Sequence, residues 1–265
     1  EGREDQTQPE IYALRQAGSQ PNTPGWNIRV IPSVKPILRI EGQLNRRAHG
    51  MYDVMDGIGA HEVIIETQQH IANAADLSTE QLRDSLKVCQ TRMLDLEQDP
   101  RFKYVLWFKN YGLSAGAGRI QHTRSQLIAT PVIPKRVKEE LAGSRRFFED
   151  KERCMMCDLI MQERDARERI VLETPTMIAL CPFAARFPFE LMILPRRHQC
   201  RFEETPPHEI GSVARLLRDV LRRMDRALEH PPYSFVIHSA PVSEPAESYH
   251  WHLEILPKVT RFGAF

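Results

Sequence analysis

The sequence predicts an α+β fold made of two fused copies of one unit, each with mostly antiparallel strands and flanking helix. Three observations carry this. His70 and His122, 52 residues apart, recur 128 positions later as His198 and His250. Their flanks agree as well: His61-Glu62-Val63-Ile64-Ile65-Glu66-Thr67-Gln68-Gln69-His70 lies over Phe189-Glu190-Leu191-Met192-Ile193-Leu194-Pro195-Arg196-Arg197-His198, an apolar strand-like run ending on each first histidine. The order strand, helix, strand, loop, strand then reads twice along the chain, as a duplicated unit requires.

The elements follow in order. Residues 1–27 are polar and turn-rich, with Pro9, Pro21, Pro24 and Gly25 as breakers. Residues 27–40 alternate apolar and polar positions between prolines, which predicts a strand and a sheet edge. Val63-Ile64-Ile65 is a short buried strand. Ser78, followed three residues later by Gln81, offers a capped helix start. That helix runs to about Leu96 with an apolar face of Leu82, Leu86, Cys89, Met93 and Leu96. Residues 104–108 are a buried strand, 112–118 a loop and 126–132 another strand. A charged, irregular connector joins the halves, dividing the chain into units 1–134 and 153–265 around residues 135–152. The second unit repeats the order with a strand at 191–194, a helix at 207–228, and strands at 234–237 and 251–256. The two units are expected to share one continuous core.

Composition excludes several classes of function. The 265 residues are 42% hydrophobic, ordinary for a globular protein. No apolar run approaches the roughly 18–20 residues that span a bilayer. With 36 basic and 35 acidic residues the formal charge is +1, so no global field points to nucleic acid or an anionic membrane. The start, Glu1-Gly2-Arg3-Glu4-Asp5-Gln6, has neither an initiator Met nor a signal-peptide core and reads as a piece of a longer chain. Of five cysteines only Cys154 and Cys157 are closely spaced, which suits metal binding in a reducing cytoplasm better than a disulfide framework.

The strongest chemical signal is Cys154-x2-Cys157 with His198 and His250. Two thiolates two residues apart chelate one ion from a tight turn, and two distant imidazoles complete a tetrahedron of the kind zinc takes. The bland alternative is a turn bearing two half-buried cysteines beside unrelated histidines. The repeat independently picks out the same two histidines, which favours zinc. The first unit has His70 and His122, but moving the cysteines back by 128 reaches Trp26 and Arg29. That site is either lost or has its cysteines ahead of Glu1. Gly112-x3-Gly116-x-Gly118 fails the dinucleotide fingerprint, because Gln121 stands where a third glycine is needed, and fails the P-loop pattern; it reads as a flexible loop. Arg145-Arg146 and Arg222-Arg223 read as solvated surface, and the arginine-bearing helix near its end as core packing. His250, His252 and Glu254 alternate along a strand and should share one face. There His252 could be a nucleophile or proton donor, a further ligand, or a buried hydrogen-bonded group.

Several segments resemble the galactose-1-phosphate uridylyltransferase family over nearly the whole chain. They are Phe108-Lys109-Asn110-Tyr111-Gly112, His122-Thr123-Arg124-Ser125-Gln126-Leu127-Ile128-Ala129-Thr130-Pro131, and Tyr249-His250-Trp251-His252-Leu253-Glu254-Ile255-Leu256-Pro257. Pro9-Glu10-Ile11-Tyr12-Ala13-Leu14 and Pro182-Phe183-Ala184-Ala185-Arg186-Phe187-Pro188-Phe189-Glu190 match it too. The resemblance implies two fused histidine-triad-like units, mostly antiparallel half-barrel sheets with flanking helices, in a homodimer. It implies transfer of UMP from a UDP-sugar to a sugar 1-phosphate through a nucleotidyl-histidine, a step that suits neutral imidazole near neutral pH. On this chain it places substrate contacts at Asn110, Gly118 and Gln126. It also implies zinc ligands at Cys154, Cys157, His198 and His250, and at His70 and His122 in the first unit.

The chain departs from the family where the chemistry is done. The family's His-Pro-His-x-Gln is here His122-Thr123-Arg124-Ser125-Gln126, so Arg124 occupies the nucleophile position. Guanidinium stays protonated and has no lone pair to offer phosphorus, though it binds phosphate well. A serine that relatives carry shortly before the first histidine falls on Gly118 or Arg119, and an Asn-Lys-Phe-Pro pattern has become Ser33-Val34-Lys35-Pro36. His252 is the repeat partner of position 124. The leading expectation is a uridylyltransferase-type protein with Arg124 and Gln126 at the reacting phosphate. Its alternatives are an inactive nucleotide-sugar-binding or regulatory protein with Arg124 clamping the phosphate, and an adenylyl-transferring or phosphorolytic relative.

Overall fold

The side-chain hydroxyl of Ser78 accepts from the Gln81 main-chain N–H while the Gln81 side chain accepts from the Ser78 N–H, a reciprocal cap that starts the first long helix where the sequence places it. In the computed structural model, which describes residues 2–118, 120–241, 243–244 and 247–259, the elements run β1 (Tyr12–Arg15), β2 (Trp26–Pro32), β3 (Arg47–His49), β4 (Tyr52–Val54), β5 (Ala60–Ile65), α1 (Thr79–Leu96), β6 (Tyr104–Tyr111), β7 (Arg124–Thr130), α2 (Lys135–Lys151), α3 (Met155–Ala166), β8 (Ile170–Glu173), β9 (Met177–Leu180), β10 (Leu191–Pro195), α4 (Pro207–Ala227), β11 (Tyr233–His238) and β12 (His252–Pro257). Arg119, one of the two positions for the missing serine, lies outside the described residues.

Among the described residues ten strands form one antiparallel sheet in the order β1-β2-β5-β7-β6-β11-β12-β10-β9-β8, with β3 and β4 a separate hairpin. The order is a palindrome about the β6–β11 seam. The two units therefore share one sheet and one core, as the repeat implies. Both long helices lie on one face and pack against each other. Ile210, Val213, Leu217, Val220, Leu221 and Met224 form the buried stripe of α4 at helical spacing. Burying each is worth about 1.5–3 kcal/mol. Asn73 ties the units together, donating to Asp225 at 2.6 Å and accepting from the Tyr233 hydroxyl at 3.0 Å.

Several expectations are corrected. The connector is not irregular: residues 135–151 are α2, with Val137 and Leu141 buried. Strands β1, β8 and β9 were not anticipated, and the strand expected over 27–40 ends at Pro32. Beyond it the chain forms a strap to residue 59, closed on itself by a bridge of Arg39 with Ile58 and held to β5 where the Ser33 N–H donates to the His61 carbonyl at 2.8 Å. Arg222 is not simply solvated, since its Nε donates to the Ala75 carbonyl at 3.0 Å.

The 128-residue offset holds over β6 and β7, becomes 129 at β5, where Val63 faces Gln126 as Met192 faces Glu254, and fails earlier. Val30 pairs with Ile64 as Ala179 pairs with Ile193, an offset of 149, and Tyr12 pairs with Val30 as Leu172 pairs with Ala179, an offset of 160. The strap of residues 33–59 sets this difference, because β9 and β10 are joined by only residues 181–190. Trp26 and Arg29 are thus not the counterparts of Cys154 and Cys157. At the outer offset no residue of this sequence stands at the counterpart positions.

Candidate active site and metal centre

The burial of β5 alternates: Ala60, Glu62 and Ile64 are buried under α1, while His61, Val63 and Ile65 are half-buried on the opposite face. The paired strand β7 sets Arg124 opposite Ile65 and Gln126 opposite Val63. Because paired residues of an antiparallel ladder point the same way, Arg124, Gln126 and His61 share the face away from the helices. A cavity of about 920 Å³ opens there, lined by these three with Trp26, Arg29 and Lys35 among others. A second cavity of about 500 Å³ adjoins it, bounded by Asn110, Lys109, Tyr111 and His230. Ala117, Gly118, Ile120, His122 and Arg124 line both. The expected contact residues Asn110, Gly118, Arg124 and Gln126 therefore surround one continuous recess.

Within it Arg124 Nη2 donates to the Ala117 carbonyl at 2.8 Å, and burial pulls the guanidinium below its ordinary pKa while Glu66 opposes. Beneath lies a buried network absent from the sequence reading. Lys109 Nζ donates to Glu66, to Thr123 Oγ1 and to the Arg124 carbonyl at 3.1 Å, and Thr123 Oγ1 donates to Glu66 at 2.6 Å. The glycine loop is a wall of the recess. Gly112 has φ +81°, and a Cβ there would lie 2.7 Å from Pro232 Cβ.

Cys154 sits at the N-terminus of α3 and Cys157 in its first turn, a position that favours thiolates. Cys154 Sγ lies 3.7 Å and Cys157 Sγ 3.6 Å from His250 Nδ1, and Cys157 Sγ lies 3.7 Å from His198 Nδ1. All four donor atoms fall within 4.8 Å of one another. His250 Nε2 donates to the Pro195 carbonyl at 2.9 Å, which fixes the tautomer that leaves Nδ1 free to ligate. The Cys157 thiol, with both histidines, brings Cys154 down to about 2 against the pull of burial, and the same contact pushes Cys157 up. Two thiolates and two imidazoles in a closed cluster suit zinc. In the first unit the His70 and His122 rings stand 6.1 Å apart, against 5.3 Å for His198 and His250, without cysteines beside them among the described residues. Burial lowers the pKa of His122.

The repeat positions of Asn110, Arg124 and Gln126 are His238, His252 and Glu254. They form a closed knot under α2. His238 Nδ1 lies 2.9 Å from Glu140, the His238 and His252 rings stack at 4.7 Å, and Arg136 and Arg186 reach Glu254 at 3.2 and 2.6 Å. Burial would lower His238, but hydrogen bonds with Glu140 and Glu254 raise it to about 9. Burial and the His238 charge bring His252 down to about 4. Glu254 resists burial through His238 and Arg186 and falls to about 2. Glu140, His238 and His252 also bring donor atoms within 4.8 Å, a second set able to hold a cation. His252 and Glu254 share a face, 3.9 Å apart, while His250 precedes the strand and turns to the cysteines. His252 is 2% exposed and lines neither cavity, which argues against its use as a replacement nucleophile. The offset of 128 from Asn110 would have pointed to His238; Glu140 carried no such signal, because it arrives on an unanticipated helix.

Comparison with known proteins agrees with this arrangement. Residues 140–261 match the family described as galactose-1-phosphate uridyl transferase, C-terminal domain, and residues 35–132 match the N-terminal domain of a family of unknown function, DUF4931. An ADP-glucose phosphorylase of Arabidopsis thaliana is 31% identical over the whole chain and 74% of its own length. A galactose-1-phosphate uridylyltransferase of Thermotoga maritima is 30% identical over 81% of this chain and 67% of its own. The crystal structure of an Arabidopsis thaliana ADP-glucose phosphorylase with bound ADP-glucose superposes with a TM-score of 0.87 at 29% identity, covering 99% of this chain and 81% of that one. No helix among the described residues is long and apolar enough to cross a membrane.

Proposed function

The chain belongs to the galactose-1-phosphate uridylyltransferase family of nucleotidyltransferases, and from that premise we propose that its first unit binds a nucleoside-diphosphate sugar with the phosphates between Arg124 and Gln126. Asn110 and Gly118 flank the ligand, and a sugar 1-phosphate is the second partner. Transfer of UMP between sugar 1-phosphates is the chemistry of the uridylyltransferase relatives. The phosphorylase relative supports an adenine nucleotide as the other candidate ligand. In this chain Arg124 gives the reaction a different character. The observation that carries this is the guanidinium on the wall common to both cavities, anchored to the Ala117 carbonyl. A fixed cation there stabilises phosphoryl charge but cannot attack phosphorus. Binding persists while the nucleotidyl-histidine step is lost, a change able to remove roughly 10⁶ of rate.

Cys154, Cys157, His198 and His250 would hold zinc, which would cross-link the start of α3 to the ends of β10 and β12; their donor set and the Pro195 contact support this. Five free cysteines among the described residues favour a reducing compartment, the cytoplasm, and the family resemblance favours a homodimer, to be read by light scattering.

Calorimetric titration with UDP-glucose and ADP-glucose, beside incubation with each carrying radiolabel in the α-phosphate, tests the reading. Wild type should bind at least one and retain no acid-labile label, and Arg124→His should gain label. Label on wild type, or no binding of either sugar nucleotide, would refute it.

A further inference from the structure

Gln126 presents to the recess an amide that can face two ways, with donors or with an acceptor toward an anion. His61 decides which. The Ile37 main-chain N–H donates to His61 Nδ1 at 3.3 Å, and an amide N–H can only donate. Nδ1 therefore carries no proton, and in the neutral ring the proton sits on Nε2. That atom lies 2.9 Å from Gln126 Oε1 and donates to it. Gln126 must then accept through Oε1, leaving its NH₂ turned away from His61. The same bond leaves His61 without a lone pair for the cavity, so it is no substitute nucleophile.

We propose that His61 is a positioning residue that, held as the Nε2–H tautomer by the Ile37 amide, fixes the Gln126 side chain with its NH₂ toward the phosphoryl group of a bound nucleotide. This rests on the nucleotide-binding reading of the recess. A flipped Gln126 would set a carbonyl oxygen against phosphate oxygens.

The second unit supplies an internal control. Met192 faces Glu254 across the ladder as Val63 faces Gln126, so the counterparts of His61 and Gln126 are Glu190 and Glu254. The two oxygens of a carboxylate are equivalent, so nothing needs to orient it, and Glu190 at the histidine position has no proton to donate and accepts instead from the Arg186 main-chain N–H and guanidinium. Donor and amide change together. The lock itself comes from the strap of residues 33–59, whose counterpart in the second unit is the short connection of residues 181–190.

The test uses the whole chain, with UDP and ADP as probes in calorimetry. His61→Phe, which keeps a flat ring and removes both nitrogens, should weaken binding of the preferred nucleotide about tenfold, the loss of one well-aimed hydrogen bond to a charged group. His61→Gln, which keeps a donor of similar reach, should return to within about threefold. In a Gln126→Ala background His61→Phe should cost nothing further. Unchanged binding by His61→Phe, or a loss that persists in that background, overturns the proposal. Long-range proton–nitrogen spectra of the apo protein under mildly alkaline conditions should show the Nε2–H tautomer at His61, and an Nδ1–H tautomer overturns the lock whatever binds. Wild type that binds neither nucleotide with the Nε2–H tautomer in place overturns the nucleotide reading, and with it the purpose assigned to the lock.

Discussion

Replacing Lys109 with methionine keeps an unbranched stem of similar length and removes the ammonium from the floor of the recess. Lys109 is 1% exposed and its three N–H groups meet three acceptors: Glu66, Thr123 Oγ1 and the Arg124 carbonyl. Burial pushes the ammonium down from its ordinary pKa while Glu66 opposes, so the charge is held by its partner alone. In Lys109→Met the Glu66 carboxylate, 2% exposed, keeps only the Thr123 hydroxyl among these donors. Breaking a buried pair on one side costs about 3–5 kcal/mol. The Arg124 carbonyl left behind adds about 1 kcal/mol. A loss of about 4–6 kcal/mol is a large share of a total stability near 5–15 kcal/mol. Urea denaturation should therefore show a much lower midpoint at unchanged slope. Lys109→Met combined with Glu66→Gln removes both charges and should recover most of the loss. A single substitution costing under about 1 kcal/mol, or a double one no better than the single, would refute the buried-pair argument.

Other expectations follow from the same geometry. Burial raises Glu203 to about 7, against an ordinary 4.5, with Arg201 opposing. Its proton is held more tightly in the folded state, so its contribution is complete below about 4.5, falls as pH rises and is lost above about 7, a swing on the order of 3 kcal/mol. Glu203→Gln should flatten the stability-against-pH curve between those limits, and an unchanged curve would contradict the assignment. Wild type should carry about one zinc per chain from the second unit, Cys157→Ser well under half, read by elemental analysis; an equal content in both would remove Cys157 from the ligand set. Gly112→Ala combines a positive φ with a 2.7 Å overlap on Pro232, whereas Gly116→Ala meets nothing nearer than 3.7 Å. The first should cost about 3 kcal/mol and the second about 1 kcal/mol in thermal denaturation. Equal costs would show that the overlap is not felt.

The repeat was legible because no insertion falls between His70 and the end of β7 or between His198 and the end of β12, so one offset aligned both histidine pairs, both helices and positions 124 and 252. It could not reach β1, β8 or β9. The strap of residues 33–59 breaks the offset, and four-residue strands such as Ile170–Glu173 show too few alternations to stand out from a loop. The connector was misread from its charge. In α2 only Val137, Leu141 and Ser144 are buried, a stripe too thin to raise a helical signal above seventeen largely charged residues. The metal ligands and Arg124 were visible as motif positions. His61 was not, since a polar residue on the outward side of a half-buried strand looks like ordinary alternation; only its two partners, from the strap and from β7, give it a task.

The two units differ in what covers the outer face of the sheet, and that difference explains why a histidine at position 252 does not replace the one absent at 124. In the second unit Ile160 of α3 packs on Ile178, Leu180 and Leu194, and α2 brings Arg136 and Glu140 onto β11 and β12. The space that would receive a phosphate is filled by side chains, and its charges are spent on one another: His238 between Glu140 and Glu254, and Glu254 between Arg136 and Arg186. Opening it for a ligand would strip partners from a buried carboxylate and a buried imidazolium, at several kcal/mol each. In the first unit no helix among the described residues lies over the outer face of β5 and β7, the recess stays open, and Arg124 faces it with one main-chain anchor at the Ala117 carbonyl. Under the proposed reading, binding and nucleophilic chemistry come apart between the units: the open recess presents the Arg124 cation, and the His252 imidazole is sealed among side chains of the closed one.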